Sequence, residues 1–200
     1  MEEKQAGIRI NKYLSEAGVC SRRAADREIE KGNVWIDGRK AVTGDRILPG
    51  MKVTFCGKEV SPEDEEILIA FHKPVGIVCT AEKREKNNII DYIGYPKRIY
   101  PVGRLDKDTE GLLLLTNDGE LAHRLLSPKK HVDKTYYARI DGKVDEEDQR
   151  AFLQGVDIGD ETNTAPAKLE ILKSADISEI LLTIQEGRFH QVKRMFQARD

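Results

Sequence analysis

No run of apolar residues in this chain approaches the roughly 18 that a membrane-spanning helix needs. The opening Met1-Glu2-Glu3-Lys4 also lacks the basic-then-apolar profile of a signal peptide. With neither feature present, a cytoplasmic protein with no membrane partner is expected. Cysteine is scarce: Cys20, Cys56 and Cys79 are odd in number, scattered, and without the paired spacing of zinc sites or disulfide frameworks, so buried free thiols are expected. His72, His123 and His131 carry no pairing that suggests a metal, and neither a dinucleotide fingerprint nor a phosphate-binding P-loop occurs. A charge excess of either sign is missing too, since 33 Lys and Arg against 35 Asp and Glu leave a net charge of −2. At first sight that argues against a polyanionic ligand.

What is present modifies that reading. The apolar share is 39% and the charged share 34%, which suits a globular protein with a packed core and a well-solvated surface. Two hundred residues allow one medium domain, or a small module joined to a larger one. The charge is unevenly spread: Lys4, Arg9, Lys12, Arg22, Arg23, Arg27, Lys31, Arg39, Lys40, Arg46, Lys52 and Lys58 fall in the first 60 residues, while acids cluster at Glu63 to Glu66 and Asp145 to Asp148. Local basic surface, not the overall sum, decides phosphate binding.

Ile10, Tyr13, Leu14 and Ala17 recur at helical spacing and Gly18 supplies a stop, so a short amphipathic helix is expected over 10–17. Ser21 reads as the N-cap of a second helix running to about Lys31, with Gly32 ending it. Along that helix Arg23, Arg27 and Lys31 recur every four residues and share a face, which is either a phosphate-binding stripe or a solvated surface. Asp37-Gly38 between two short runs signals a hairpin, with Trp35 expected in the core, and Met51 to Phe55 reads as a further strand. The acidic stretch 61–66 suits an exposed linker and marks the domain boundary, giving a first domain over 7–60 and a second over 67–200.

Beyond the boundary, Ile67 to Phe71 and Leu112 to Leu115 read as buried strands. Thr135 to Ile140 alternates, with Tyr136, Ala138 and Ile140 on one side and Thr135, Tyr137 and Arg139 on the other; Ala167 to Ile171 and Ile180 to Ile184 alternate likewise. Helices are expected over Leu121 to Leu126 with Pro128 as the stop, over Glu146 to Gln154, and from Phe189 onward. Strands outnumber helices without regular β-α-β alternation, so the expected class is α+β, with a mixed, mainly antiparallel sheet flanked by helices.

Four segments carry candidate chemistry: His72-Lys73-Pro74-Val75-Gly76, Gly103 to Leu113, Lys134-Thr135-Tyr136, and Glu186 to Phe196. Arg104 and Asp106 lie two apart in a turn feeding a strand. Either the carboxylate is held at a pocket edge, or Asp106 caps a turn while Arg104 pairs with a surface acid; spacing alone leaves both open. In the last segment His190, Lys193, Arg194 and Gln197 would share a helix face while Val192 and Phe196 turn to the core, which makes either an anion site or a solvated basic face. Tyr136 is either an ordinary sheet tyrosine or a stacking ring. Lys73-Pro74-Val75-Gly76 reads as strand-ending turn chemistry.

Gly103-Arg104-Leu105-Asp106 with Thr109, Gly111-Leu112-Leu113 and Thr116-Asn117-Asp118 resembles the signature of the RsuA/RluB/RluE/RluF family of ribosomal RNA pseudouridine synthases. The other three segments resemble that family's motifs in the same order, and residues 8–55 are similar to the alpha-L RNA-binding domain named after a small-subunit ribosomal protein. The resemblance implies Asp106 as a nucleophile toward a uridine, Arg104 filling the space left by the flipped base, Tyr136 packing on that base and helping to remove its ring proton, and Lys193 paired with Asp106. It implies His190 and Arg194 as further substrate contacts, and Arg23, Arg27 and Lys31 as contacts of the N-terminal domain. The implied partner is ribosomal RNA or a pre-ribosomal particle, bound by a monomer, and the implied isomerisation needs no cofactor or metal. A non-catalytic RNA-binding protein is the alternative. The wording His190-Gln191-Val192-Lys193-Arg194 resembles the family's small-subunit enzymes more than its large-subunit ones. Family members usually continue past Phe196 with further strands, so the resemblance also implies either a truncated product or a naturally shortened ending, with an exposed sheet edge and lost RNA contacts if strands are missing.

Overall fold

The computed structural model describes residues 7–127, 130 and 132–199; the expectations placed on Lys4, Pro128 and His131 lie outside the described residues. The chain divides into two compact units, Met1–Gly119 and Glu120–Asp200.

The first unit opens with β1 (Ile8–Arg9), α1 (Ile10–Glu16), α2 (Arg22–Glu30), β2 (Val34–Ile36), β3 (Arg39–Lys40), β4 (Arg46–Ile47), β5 (Val53–Phe55) and β6 (Lys58–Val60). Ser21 caps α2 as its position implies, its Oγ accepting the Ala24 N–H at 3.3 Å. Ala25 and Ile29 turn inward with Leu14 and Val34, which leaves Arg23, Arg27 and Lys31 on the outer side of α2. The strands form an antiparallel sheet in the order β3-β2-β5-β6, with β1 paired to β4 apart from it. The β2–β3 turn holds Asp37 and Gly38 at φ 47° and 82°, the doubly left-handed geometry that a two-residue hairpin requires.

Two expectations fail here for identifiable reasons. Trp35 is not core: β2 alternates, sending Val34 and Ile36 inward and leaving Trp35 on the other face, 38% exposed. Cys56 is not a buried thiol, because it occupies the first left-handed position of a second tight turn (φ 48°) that leads to β6 and so lies exposed. That turn carries a cysteine where Asn or Asp would have signalled it, so β6 escapes sequence reading. Cys20 is half-buried and Cys79 buried.

The segment 61–66 is largely exposed but pinned. The Glu63 N–H donates to the Glu16 carbonyl at 3.1 Å, Lys97 pairs with Glu63 and Glu65 at 2.7 and 2.8 Å, and the Asn117 side-chain amide donates to the Glu65 carbonyl at 2.8 Å. Beyond it come β7 (Leu68–Lys73), α3 (Ile89–Ile93), β8 (Tyr100–Val102) and β9 (Gly111–Thr116), the strands forming an antiparallel sheet β7-β9-β8. β7 and β9 are not buried throughout: Leu113 and Leu115 enter the core with Ile67 and Ile89, whereas Leu112 is 69% exposed and Leu68 is also outward. An antiparallel sheet can be covered on one face only, so an unbroken apolar run does not guarantee two-sided burial. α3 is capped by Asn88, whose side-chain oxygen accepts the Asp91 N–H at 2.8 Å.

α4 (Gly119–Leu126) begins at the division, and the second unit continues with β10 (Lys134–Asp141), α5 (Glu146–Gln154), β11 (Lys168–Lys173), β12 (Ile177–Ile184) and α6 (Gln191–Gln197). The sheet order is β10-β12-β11, antiparallel throughout. The alternation reads through as expected: Tyr136, Ala138 and Ile140 pack on the core with Ile180, Leu182 and Ile184, while Thr135, Tyr137 and Arg139 face out. α5 starts in a capping box between Asp145 and Asp148 and buries Phe152, whose ring meets Phe196 of α6 edge-on at 5.0 Å. The class is α+β, as the sequence suggests.

α5 ends at Gly155, where φ is +85° and a Cβ would fall 2.2 Å from the Thr164 carbonyl oxygen. The chain folds back there, Thr164 N–H donating to the Val156 carbonyl and Ala167 N–H to the Phe152 carbonyl, at 2.9 and 2.8 Å. Gly155→Ala meets both the left-handed strain and the clash. It should lower stability by about 2 kcal/mol or more in urea unfolding; an unchanged midpoint would show that the turn relaxes without cost.

Candidate active site

Asp106 sits in the loop between β8 and β9, half-buried, and Arg104 is exposed two residues before it. Three ties fix the loop's backbone. The Lys73 ammonium donates to the Thr109 carbonyl at 2.7 Å and to the Pro74 carbonyl at 3.0 Å; the Gly76 N–H donates to the Lys107 carbonyl at 2.7 Å; and the Leu105 N–H points at the Cys79 sulfur at 3.4 Å. Within the loop the Thr109 N–H closes a turn onto the Asp106 carbonyl at 3.1 Å. Leu105 packs on the core beneath, so the residues flanking Asp106 alternate between core and surface.

Lys73 was read from sequence as part of a turn, and that reading missed its role. Its residue is fully buried at the end of β7. Desolvation pushes its ammonium below the usual lysine range, and the thiol of Cys79 and the carboxylates of Asp108 and Asp106 work against that shift. A cation is therefore held in electrostatic reach of Asp106 within its own unit. A lysine closing an apolar strand directly before Pro was the available signal.

In the second unit Tyr136 lies half-buried on β10, opposite Leu182, while the Tyr137 hydroxyl turns outward to the Glu179 carboxylate at 3.0 Å. The helix expected from Phe189 begins at Gln191, because His190 takes a left-handed conformation (φ 47°) as its N-cap. His190 thus leaves the helix face it was expected to share with Lys193, and its ring stacks on Phe189 instead, centroids 3.9 Å apart. Phe189 and Lys193 are exposed.

Arg194 is engaged by the protein itself. It donates to the carbonyls of Ile158 and Phe189 and pairs with Asp160 at 2.6 Å. Arg188 joins this clamp, donating to the carbonyls of Thr162 and Asn163 at 2.6 and 2.7 Å and pairing with Glu186 at 3.2 Å. The Arg194 and Arg188 guanidiniums hold the Asp160 carboxyl below its usual range. Glu186 also accepts from the Ala165 N–H and the Gln191 amide, at 2.9 and 3.0 Å. Much of the basic wording near the C-terminus thus fixes the 157–165 loop against α6.

On α2, Arg23 and Arg27 are exposed, whereas the Lys31 ammonium is paired with Glu28 at 2.7 Å. Among the described residues no group of His, Cys, Asp and Glu could hold a metal, and no helix is long and apolar enough to cross a membrane.

Residues 67–198 match the family described as RNA pseudouridylate synthase, and residues 8–53 match the S4 domain. The chain belongs to the RsuA family of pseudouridine synthases. It is 41% identical over 192 residues to dual-specificity RNA pseudouridine synthase RluF of Escherichia coli K12, covering 95% of this chain but only 65% of the length of that relative. Ribosomal large subunit pseudouridine synthase B of Bacillus subtilis 168 is also 41% identical, over 95% of this chain and 80% of its own. Ribosomal small subunit pseudouridine synthase A of Escherichia coli K12 is 34% identical, so the whole-chain likeness to it is lower despite the local wording around His190. A crystal structure of a pseudouridylate synthase, 36% identical, superposes with a TM-score of 0.66 over 96% of this chain and 83% of that one.

Within this RsuA-family chain the Lys73 tie is open to direct test. Lys73→Met keeps most of the buried stem but leaves the Thr109 and Pro74 carbonyls without their charged donor. Stability should fall by about 2–4 kcal/mol in denaturant unfolding, and amide exchange should quicken from Lys107 to Thr109. Unchanged protection there would show that Lys73 does not fix the loop.

Proposed function

We propose that the chain isomerises a uridine in ribosomal RNA to pseudouridine. Asp106 attacks the target nucleoside and the bond from the sugar to N1 breaks; the detached base rotates and rejoins the sugar through carbon 5 as the Asp106 carboxylate is released, the carbon-5 proton is lost to solvent and N1 takes one up. No group is transferred to an outside carrier, so the balance needs no cofactor. A stacked nucleoside cannot react in this way; it must be extruded, at a cost of a few kcal/mol that contacts to the flipped base and its surroundings offset. Arg104 supplies a planar side chain to fill the gap, Tyr136 a ring for the extruded base, and Lys193 a positive charge for the reacting carboxylate. His190 contributes a further contact. Arg194 serves mainly to fix the 157–165 loop, given its engagement with Asp160.

The observation that carries this reading is the strapped loop: a half-buried aspartate whose neighbours are tied by backbone and ammonium bonds, with a buried cation in reach. Rigid placement of one carboxylate is what a nucleophile needs and what a surface turn does not. The family match supports it, since the RNA pseudouridylate synthase region contains this loop. Asp106→Asn and Asp106→Ala should reduce tritium release from ribosomal RNA labelled at carbon 5 of uridine to background, with RNA binding retained. Activity at the parent level in either variant would remove Asp106 from the mechanism. Binding without tritium release by the parent chain would make it a non-catalytic RNA-binding protein.

The N-terminal S4 domain, residues 7–60 with the 61–66 segment behind it, is proposed as the RNA-docking module, through Arg23 and Arg27 and to a lesser degree the Glu28-paired Lys31. Arg23→Glu with Arg27→Glu should weaken ribosomal RNA binding and flatten the slope of log affinity against log salt by roughly 1.5 to 2, as for two lost phosphate contacts. An unchanged slope would place the phosphates elsewhere.

A further inference from the structure

Trp35 is the only tryptophan of the chain, and its ring lies on the outer face of the N-terminal sheet. A tryptophan is ordinarily among the more deeply buried residues, so an outward one on a short strand needs a reason. Residues directly opposite across paired strands share a face. Register therefore puts Lys40 on one side of Trp35, Thr54 on the other, and Glu59 one strand further away. The Lys40 ammonium stands 5.8 Å from the indole centroid. The same ammonium lies along Gly32, where an added Cβ would be 3.4 Å from it. Gly32 follows Lys31 at the end of α2. The basic side of α2 therefore does not stop at the helix terminus: it passes over Gly32 to Lys40 and then to the open indole.

We propose that Trp35 and Lys40 form a stacking platform for one unpaired base of the RNA whose phosphates lie along α2. The proposal rests on the RNA-binding reading of the S4 domain. Each element fits that occupant. The indole is a flat, sequence-tolerant surface for a base; the Lys40 ammonium, which stands over the ring 5.8 Å from its centroid, swings to the adjoining phosphate when a base takes its place; and the acid of that face lies two strands away, on the side opposite Lys40. The polar neighbours Lys40, Thr54 and Glu59 make the face unsuited to an apolar protein or lipid surface.

Because the chain holds one tryptophan, the platform reports on itself. Full-length protein is titrated with a single-stranded uridine-rich oligonucleotide, with a hairpin bearing an unpaired loop, and with blunt duplex RNA. Trp35 fluorescence should be quenched by the first two and not by the duplex. Trp35→Thr should weaken binding of the single strand roughly 5- to 100-fold with an unchanged salt slope, and Trp35→Phe should recover most of the loss. Lys40→Gln should weaken binding and lower the slope by roughly 0.7. Binding that depends on Arg23 and Arg27, yet leaves the fluorescence and the Trp35→Thr affinity at parent values, overturns the platform while the RNA reading survives. Failure of the parent chain to bind any of the three RNAs overturns both.

Discussion

The hydrogen bonds from the buried Lys73 ammonium to the carbonyls of Thr109 and Pro74 are the constraint on which the first unit's candidate site depends. Burying a lysine is unfavourable, and desolvation does depress this one. What offsets the cost is the set of oxygens and acids gathered round it, and gathering them forces the β8–β9 loop down onto the end of β7. Register does the rest: Lys73 lies opposite Gly111, so the last residue of β7 meets the first residue of β9 just where the loop ends. The backbone near Asp106 is thereby fixed by its neighbours' bonds, from Leu105 to Thr109. Loop placement is in this way a by-product of satisfying one buried charge.

The second unit solves a similar problem with half-buried instead of fully buried charge. Glu186, Arg188, Asp160, Arg194 and Gln191 form a polar clamp between the 157–165 loop and the start of α6. Each ion pair alone, at the surface, would contribute little. Here the guanidiniums also donate to the carbonyls of Ile158, Thr162 and Asn163, which a loop with few ladder bonds would otherwise leave to solvent. The clamp sets where α6 begins, with His190 bent into the left-handed region and Phe189, His190 and Lys193 on the outside.

Periodic elements were legible because period reports burial directly. The two faces of β10, the buried alternation in β12, the span of α5 and the Ser21 cap all follow from spacing and cap chemistry. Trp35 and Leu112 were misread because residue type was allowed to outvote parity: an indole or a leucine on the uncovered face of an antiparallel sheet stays outside whatever its hydrophobicity. The Cys56 turn and β8 gave no type signal at all. Within the candidate site, Asp106 was legible as a motif residue, yet Lys73 and the Arg188–Asp160–Arg194 clamp were not. A charged side chain's partner is chosen by the loop that folds back to it, and sequence distance of 26 to 36 residues conceals that choice.

The same hidden pairing alters how the charge of the N-terminal module should be counted. Twelve basic residues in the first 60 look like a broad phosphate-binding surface. In the fold Lys12 pairs with Glu16, Lys31 with Glu28 and Arg39 with Asp45, each acid arising from the same short stretch of chain. Arg23, Arg27 and Lys40 lie outside these pairs, on one path from α2 across Gly32 to the outer sheet face. A path of so few cations supports only a few phosphate contacts, and a few contacts give modest, salt-sensitive affinity. Docking of a defined RNA by such a module has to draw on a term that salt does not screen. An exposed aromatic surface at the end of the path provides one, because stacking scales with buried ring area instead of ionic strength.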